Sequence, residues 1–513
     1  MLGMDVTEVA SGTAEQPGPA VMVRWWAITL VMVSAAAVLI LELTSVRLAA
    51  PYVGNTFQTY TASIAVTLAA IALGANRGGW AADFLPPKVL IGPLLAVGGL
   101  LVLASKPIVL AVGPLVRDSG PAGSIILVGV AAAAPVAVLS AISPVVVKTQ
   151  LRRLADSGTV VGRFSAFGTV GGLAGTFLTG YVLLATLPVS AILVGTGAVL
   201  VALGGWQLVG SRWLTGRRTV IGMVAVLVLA TGGAVALPVP CDYETAYYCA
   251  RVTDDSDRPG GRTLWLDDAE HSYVDTEDYG YLKFAYTQRY GDVINAMWPA
   301  RKPVRALHIG GGGFTMPRWL TATRPGSTSR VLEVDPVVVR LGRERLGLRT
   351  SDALQVRVGD ARVSIRSEPA AGYDLVIGDA FSSSAVPWHL ATQEFAAELR
   401  RVLRPGGLYV LNVIDFPPLA LLAAEIATVR SVFGAVTVMG TKAALEGKEG
   451  GNFVIVAGDR IPDRDTLLAA AAHRGEPGGV ASPAQLAALV GNARPLTDDR
   501  APVDQLITTY RYF

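Results

Sequence analysis

Charge is scarce in this chain: 16% of its 513 residues are Asp, Glu, Lys or Arg, and 51% are hydrophobic. Soluble domains carry about a quarter charged residues, so the composition excludes an ordinary soluble protein and points to a membrane. Neither sign is in excess, with 43 Lys and Arg against 40 Asp and Glu and a formal net charge of +3. Nucleic acid is therefore not an expected partner, because binding a polyphosphate needs a marked basic surplus. Cysteine occurs only at Cys241 and Cys249, too few for a disulfide-built scaffold. The four histidines have no zinc-ligand spacing, and there is no haem or phosphate-loop pattern, so no metal is expected. The first residues also lack the basic start of a secretory signal, carrying Asp5, Glu8 and Glu15 in its place.

The charge that is present is unevenly divided. A cut before Pro238 leaves 13 basic and 7 acidic residues on the N-terminal side and 30 basic and 33 acidic on the C-terminal side. Two different solvents shaped these halves. Seven apolar stretches fall in the first, over 28–48, 57–75, 89–116, 122–147, 164–187, 189–209 and 220–237. Crossing the hydrocarbon core takes about 20 apolar residues, which these lengths supply. The third is long and carries Pro93 and Pro107, so it reads either as one kinked span or as a span plus a re-entrant piece.

Basic residues of short loops tend to stay on the cytoplasmic side. Here they gather in three loops, with Arg77 and Lys88, with Lys148, Arg152, Arg153 and Arg163, and with Arg212, Arg217 and Arg218. With seven spans these loops share the side of the N-terminus, which places the C-terminal half outside. An oxidising exterior would then allow Cys241 and Cys249 to pair, the alternative being two free thiols in a cytosolic domain. Gly168, Gly171, Gly172 and Gly175 form two overlapping GxxxG patterns, expected to let helix backbones approach closely. Glu42 and Arg47 stand in the first span; such groups mark a substrate path or pair with a neighbouring helix, and Arg47 is near enough to the end to snorkel.

From Arg305 onward, short β-type runs alternate with helical patterns, as in a doubly wound parallel sheet. Strands are expected over 304–309, 330–334, 354–358, 374–378 and 408–413, with helices around 315–321, 337–346, 361–366 and 392–403. Two further runs, 436–439 and 453–456, would pair antiparallel at one edge. Upstream, 247–252, 262–266 and 271–275 read as a small antiparallel sheet turning at Pro259, Gly260 and Gly261.

The stretch HIGGGGF places Gly310, Gly311, Gly312 and Gly313 directly after the first of the parallel strands. Glycines there let backbone approach a ligand closely and leave N–H groups free for polar or anionic atoms. The six-position dinucleotide fingerprint is incomplete, because Thr315 stands where its final glycine belongs. The second strand ends in Glu333, followed by Asp335; a carboxylate there can accept from both ribose hydroxyls. The third ends in Gly359, Asp360 and Ala361, where a carboxylate can meet the amino group of adenine, and the fourth in Asp379. Asp335 and Asp360 have the competing use of capping the helices that follow them.

These residues, with ETAYY ending at Tyr248, RTLWLDD from Arg262, GDAF from Gly378 and LTDDRAPVD ending at Asp504, resemble the spermidine synthase (polyamine aminopropyltransferase) family in its membrane-fused form, over roughly the whole chain. The resemblance implies a multi-span α-helical membrane domain followed by an α/β Rossmann-like domain of the class I methyltransferase type, with a small β-sheet at its N-terminal side. By residue, it implies a tail without fixed structure over 1–24, the transmembrane domain over 25–238, the small sheet over 239–303, the nucleoside-binding domain over 304–460 and a helical extension over 461–513. It further implies that decarboxylated S-adenosylmethionine is a co-substrate rather than a bound cofactor, held by Gly310, Gly311, Gly312, Glu333, Asp360 and Ala361, with Asp379 as proton acceptor.

This chain departs from the family at the polyamine side. The family's loop has an aspartate where Gly313 stands and a second acid where Ser382 stands; its Tyr-Gln pair reads Tyr247 and Tyr248, and its His-Glu pair falls near Ala285 and Tyr286. A desolvated dication needs compensating carboxylates. Replacements are sought in the acidic segment with Asp267, Asp268, Glu270, Asp275, Glu277 and Asp278, whose other reading is a solvated hairpin. Tyr248, His271 and Asp275 are the expected substrate contacts, and His308 a packed core residue.

Three functions follow: an aminopropyltransferase acting on putrescine or a related amine, another S-adenosyl-nucleoside transferase, or a cation transporter with a non-catalytic nucleoside-sensing domain. The expected partners are the lipid bilayer and a small-molecule amine, with a homo-oligomer left open.

Overall fold

The computed structural model describes residues 22–54, 57–116, 119–151, 153–210, 241–267, 269–381, 386–472 and 478–507. Their contacts group into two compact units, one from the described parts of Met1–Ser45, Ile64–Ile108 and Gly129–Leu237, the other from those of Val46–Ser63, Val109–Val128 and Pro238–Phe513.

Six helices are long and apolar enough to cross a bilayer: α1 (Arg24–Val53), α2 (Phe57–Phe84), α3 (Pro87–Val116), α4 (Ala122–Gln150), α5 (Ser157–Thr186) and α6 (Val189–Leu208). The chain is a multi-pass membrane protein. The seventh expected stretch, 220–237, and the tail over 1–21 lie outside the described residues. α3 runs unbroken through Pro93 and Pro107, which settles the two readings of that segment in favour of one span; prolines are tolerated where neighbouring helices satisfy the freed carbonyls. In α4 the turn widens to a π-helix over Gly129–Ala133 just before Pro135, whose ring would otherwise meet the carbonyl one turn back.

Only one of the two overlapping glycine patterns makes a close helix contact. A Cβ at Gly171 would stand 2.4 Å from the Met32 carbonyl oxygen, and one at Gly175 2.6 Å from that of Ala36, so these backbones touch. Gly168 and Gly172 meet only side chains, at 3.5 Å. A second pair of the same spacing, Gly74 and Gly78 on α2, packs on Ala137 and Ala141. With no hydrophobic drive between helices in lipid, such van der Waals seams carry association.

The second unit contains two sheets. The smaller is antiparallel, with β1 (Tyr243–Glu244), β2 (Cys249–Asp254), β3 (Gly261–Leu266) and β4 (Ala269–Asp275) in that order. A disulfide joins Cys241 to Cys249 across β1 and β2. Thiol labelling of intact cells is accordingly expected only after reduction; labelling that instead demands permeabilised cells would contradict the orientation read from the basic loops.

Next comes α7 (Ala285–Met297), then the larger sheet with its crossovers: β5 (Arg305–Ile309), α8 (Thr315–Thr323), β6 (Thr328–Glu333), α9 (Pro336–Arg345), β7 (Leu354–Val358), α10 (Ala361–Ser364), β8 (Tyr373–Gly378), α11 (Gln393–Val402) and β9 (Leu403–Asp415). The chain closes with α12 (Ala420–Arg430), β10 (Ala435–Gly440), α13 (Lys442–Leu445), β11 (Gly451–Gly458), α14 (Arg464–Ala472), β12 (Gly479–Val480), α15 (Pro483–Val490) and α16 (Val503–Leu506). Strand order is β12-β10-β11-β9-β8-β5-β6-β7. Strands β5 to β9 are parallel, and β11 joins β9 antiparallel, giving the expected hairpin edge. Two apolar layers flank the sheet, one with Phe395 and Leu422, the other with Tyr290 and Trp319. The order reverses between β5 and β8, which opens a crevice at their carboxyl ends.

Candidate functional site

A cavity of about 330 Å³ lies at that crevice, a size in the range of small-molecule sites. Gly310, Gly311, Gly312, Glu333, Asp360, Ala361 and Asp379 all line it, together with Tyr248 and His271. Their convergence has a simple cause. Each follows the end of a parallel strand, so strand pairing brings residues far apart in the chain to one edge.

The glycine loop approaches the β8 end so closely that a Cβ on Gly310, whose φ is +91°, would stand 2.5 Å from the Asp379 carbonyl oxygen. Gly311 N–H donates to Glu333 Oε2 at 2.7 Å, and Asp335 N–H to Oε1 at 2.9 Å. Burial raises the Glu333 pKa, opposed by these amides and that of Gly312. Asp335 and Asp360 do cap helices, accepting from Val337 N–H at 2.8 Å and Arg362 N–H at 2.7 Å. For Asp360 the cap and a place in the cavity wall coincide, because its Oδ2 remains 3.2 Å from His389 Nε2.

Asp379 sits at the opposite end. Burial pushes its pKa up to about 6, against hydrogen bonds from Asn412 and Tyr286 that favour the ionised form. The Asn412 Nδ2 donates to Asp379 Oδ1 at 3.1 Å and is oriented in turn by Asn452 Nδ2, which donates to Asn412 Oδ1 at 3.1 Å. Burial first, then Asp379, holds the Tyr286 hydroxyl well above its usual pKa, so it stays protonated and donates. A carboxylate poised just below neutrality and fixed by two donors can accept a proton from a ligand.

Tyr248 is anchored by its hydroxyl, which donates to the Phe381 carbonyl at 2.7 Å. Both ring nitrogens of His271 are buried without a hydrogen-bond partner, and burial lowers its pKa to about 4. Asp275 does not join the cavity. Its carboxylate accepts from Glu277 and Asp278 N–H at 2.8 and 2.9 Å and pairs with Arg258, closing a turn. Asp267 likewise serves the backbone, accepting from Cys249 N–H at 2.9 Å. Local turn chemistry thus occupies the acids sought as polyamine ligands. Asp268 and Ser382 lie outside the described residues. His308 is a core residue, 3.1 Å from Ser329 Oγ. Among the described residues, no group of three acids, histidines or cysteines could hold a metal ion.

Sequence reasoning missed Tyr286, Asn412 and His389. Tyr286 and Tyr290, one turn apart on α7, would have drawn notice as an aromatic pair at helical spacing. Nothing near Asn412 or His389 in the chain marks either residue.

No family model matches the chain. It is 30% identical over 431 residues to polyamine aminopropyltransferase 2 of Streptomyces coelicolor, covering 78% of this chain and 76% of that protein. It is 38% identical over 135 residues to the polyamine aminopropyltransferase of Vibrio vulnificus, covering 26% of this chain and 44% of that protein, less than half its length. A solved structure of a probable spermidine synthase from Corynebacterium glutamicum superposes with a TM-score of 0.47 at 25% identity, over 54% of this chain and all of that one. The site belongs to a transferase of the S-adenosylmethionine-utilising superfamily. On the full-length match to the Streptomyces protein, the chain belongs to the polyamine aminopropyltransferase family.

Proposed function

We propose that the protein is a membrane-bound aminopropyltransferase that moves the aminopropyl group of decarboxylated S-adenosylmethionine to an amine such as putrescine. The supporting observation is the one cavity that gathers Glu333, Asp360 and Asp379 from three strand ends. Glu333 takes the ribose hydroxyls and Asp360 the adenine amino group, while the glycine loop admits the nucleoside to the backbone.

The acceptor is an ammonium at neutral pH, with a pKa of about 10 like that of lysine. Asp379 first attracts it and then accepts one proton. The freed nitrogen lone pair attacks the propyl carbon beside the sulfonium, the C–N bond forms, and the C–S bond breaks with its electrons on sulfur. Methylthioadenosine leaves. Alignment of nitrogen and carbon supplies much of the remaining acceleration.

The test incubates detergent-purified protein with decarboxylated or intact S-adenosylmethionine and a panel of amines. Methylthioadenosine formed from the decarboxylated donor is the expected product. Adenosylhomocysteine from the intact donor would replace this reading with methyl transfer. Neither product with any amine would leave the transporter with a sensing domain.

A further inference from the structure

The LTDDRAPVD segment reaches the cavity wall through one side chain. Asp498 Oδ1 accepts from the Thr392 hydroxyl at 2.7 Å, and its Oδ2 pairs with Arg362 Nη2. Arg362 Nη1 in turn donates to Thr392 Oγ1 at 3.0 Å and to the His389 carbonyl at 3.3 Å. The three side chains form a closed triangle, with Thr392 almost fully buried. Asp498 is itself tethered by its own N–H, which donates to Glu394 Oε2 at 3.0 Å. Two residues before it, Leu496 carbonyl accepts from Gln393 N–H at 2.8 Å.

The two elements joined by this triangle are the two faces of one wall. Arg362 directly follows Asp360 and Ala361, and Thr392 follows His389 and Leu390; all four of these neighbours line the cavity. Both oxygens of Asp360 are held by the same pair of elements, Oδ1 by Arg362 N–H at 2.7 Å and Oδ2 by His389 Nε2 at 3.2 Å. Asp498 does not line the cavity, so it can act only through the residues it holds.

We propose that Asp498 is a positioning residue that clasps Arg362 to Thr392 and thereby aims the Asp360 carboxylate at the exocyclic amino group of the nucleobase. This rests on the nucleoside reading given above. A bidentate acceptor suits the task, because the guanidinium fork and the hydroxyl fix two directions at once. Removing the carboxylate frees the α10 start from the 387–392 segment, and Asp360 loses its fixed direction while the glycine loop and Glu333 are untouched. Ribose recognition is kept and base recognition is lost.

The experiment measures calorimetric binding of methylthioadenosine and of methylthioinosine, which carries an oxygen in place of the amino group, to the full-length protein in detergent. Wild type is expected to prefer the adenine nucleoside. Asp498→Ala, at a side chain 43% exposed, is expected to weaken methylthioadenosine about five- to tenfold, the size of one net hydrogen bond, with methylthioinosine unchanged. Arg362→Gln, which breaks the same triangle from the other side, is expected to do the same. Equal weakening of both nucleosides, or no change in either, overturns the positioning role. A wild type that binds methylthioadenosine but shows no base preference also overturns it. Failure of the wild type to bind methylthioadenosine at all removes the nucleoside reading itself, and this inference with it.

Discussion

Asparagine in place of Asp379 is expected to lower turnover about a hundred- to ten-thousand-fold, the range contributed by a positioned base. The exchange keeps shape and hydrogen bonding but removes the proton acceptor. Nucleoside binding is expected to persist, because Glu333 and Asp360 stand on other strands. The pH profile follows from the same group. Burial lifts the Asp379 pKa to about 6, so the catalytic, ionised form disappears as pH falls through that value and turnover falls with it. Tyr286 and Asn412 both favour the ionised form; Tyr286→Phe therefore moves this limb to higher pH. Turnover unchanged in Asp379→Asn would remove the residue from the mechanism.

The second large effect concerns stability. Glu425 lies on α12, 2% exposed, facing the apolar layer with no hydrogen-bond partner for Oε1. Burial raises its pKa from 4.5 to about 8. The folded state thus keeps a proton that the unfolded chain releases above about pH 4.5. Stability is greatest below that pH and declines as pH rises towards about 8, where the group ionises in the folded state and the decline ends. Methionine fills a similar volume without the charge. Glu425→Met is expected to stabilise the protein by on the order of 3 kcal/mol at pH 8 and by much less at pH 5. Unfolding temperatures of both proteins at the two pH values check this; an equal shift at both would show that the carboxyl does not titrate there.

The parts of the fold that could be read from the chain are those whose signal is local. The expected strand 354–358 has the observed limits, and 304–309 and 374–378 each differ from the observed strand by one residue at the start, because runs such as ALHI and DLVIG announce a buried strand by composition. The glycine loop and the strand-end acids were legible for the same reason. Helices α7 and α12 were not anticipated, nor was β12, only two residues long and recognisable only by its pairing with β10. α12 is almost wholly buried on several sides and so lacks an amphipathic stripe.

The site was legible as a set of acids but not as a network. Asp275 looked like a substrate ligand because its neighbours are acidic, yet it is committed to the turn two and three residues ahead. Tyr286 and Asn412 owe their place beside Asp379 to packing across 93 and 33 residues of chain. Asp498 lies 136 residues from Arg362. Distances of that kind are set by sheet order, which no local pattern encodes.

The claim on which the rest depends is that the crevice between β5 and β8 grips an adenosyl group. Titration of the purified full-length protein with methylthioadenosine in a calorimeter tests it without any assumption about the acceptor. Saturable binding at one site per chain, abolished by Glu333→Ala and retained in Asp379→Asn, is the predicted result. No heat of binding at saturating nucleoside, or binding indifferent to Glu333, would contradict it.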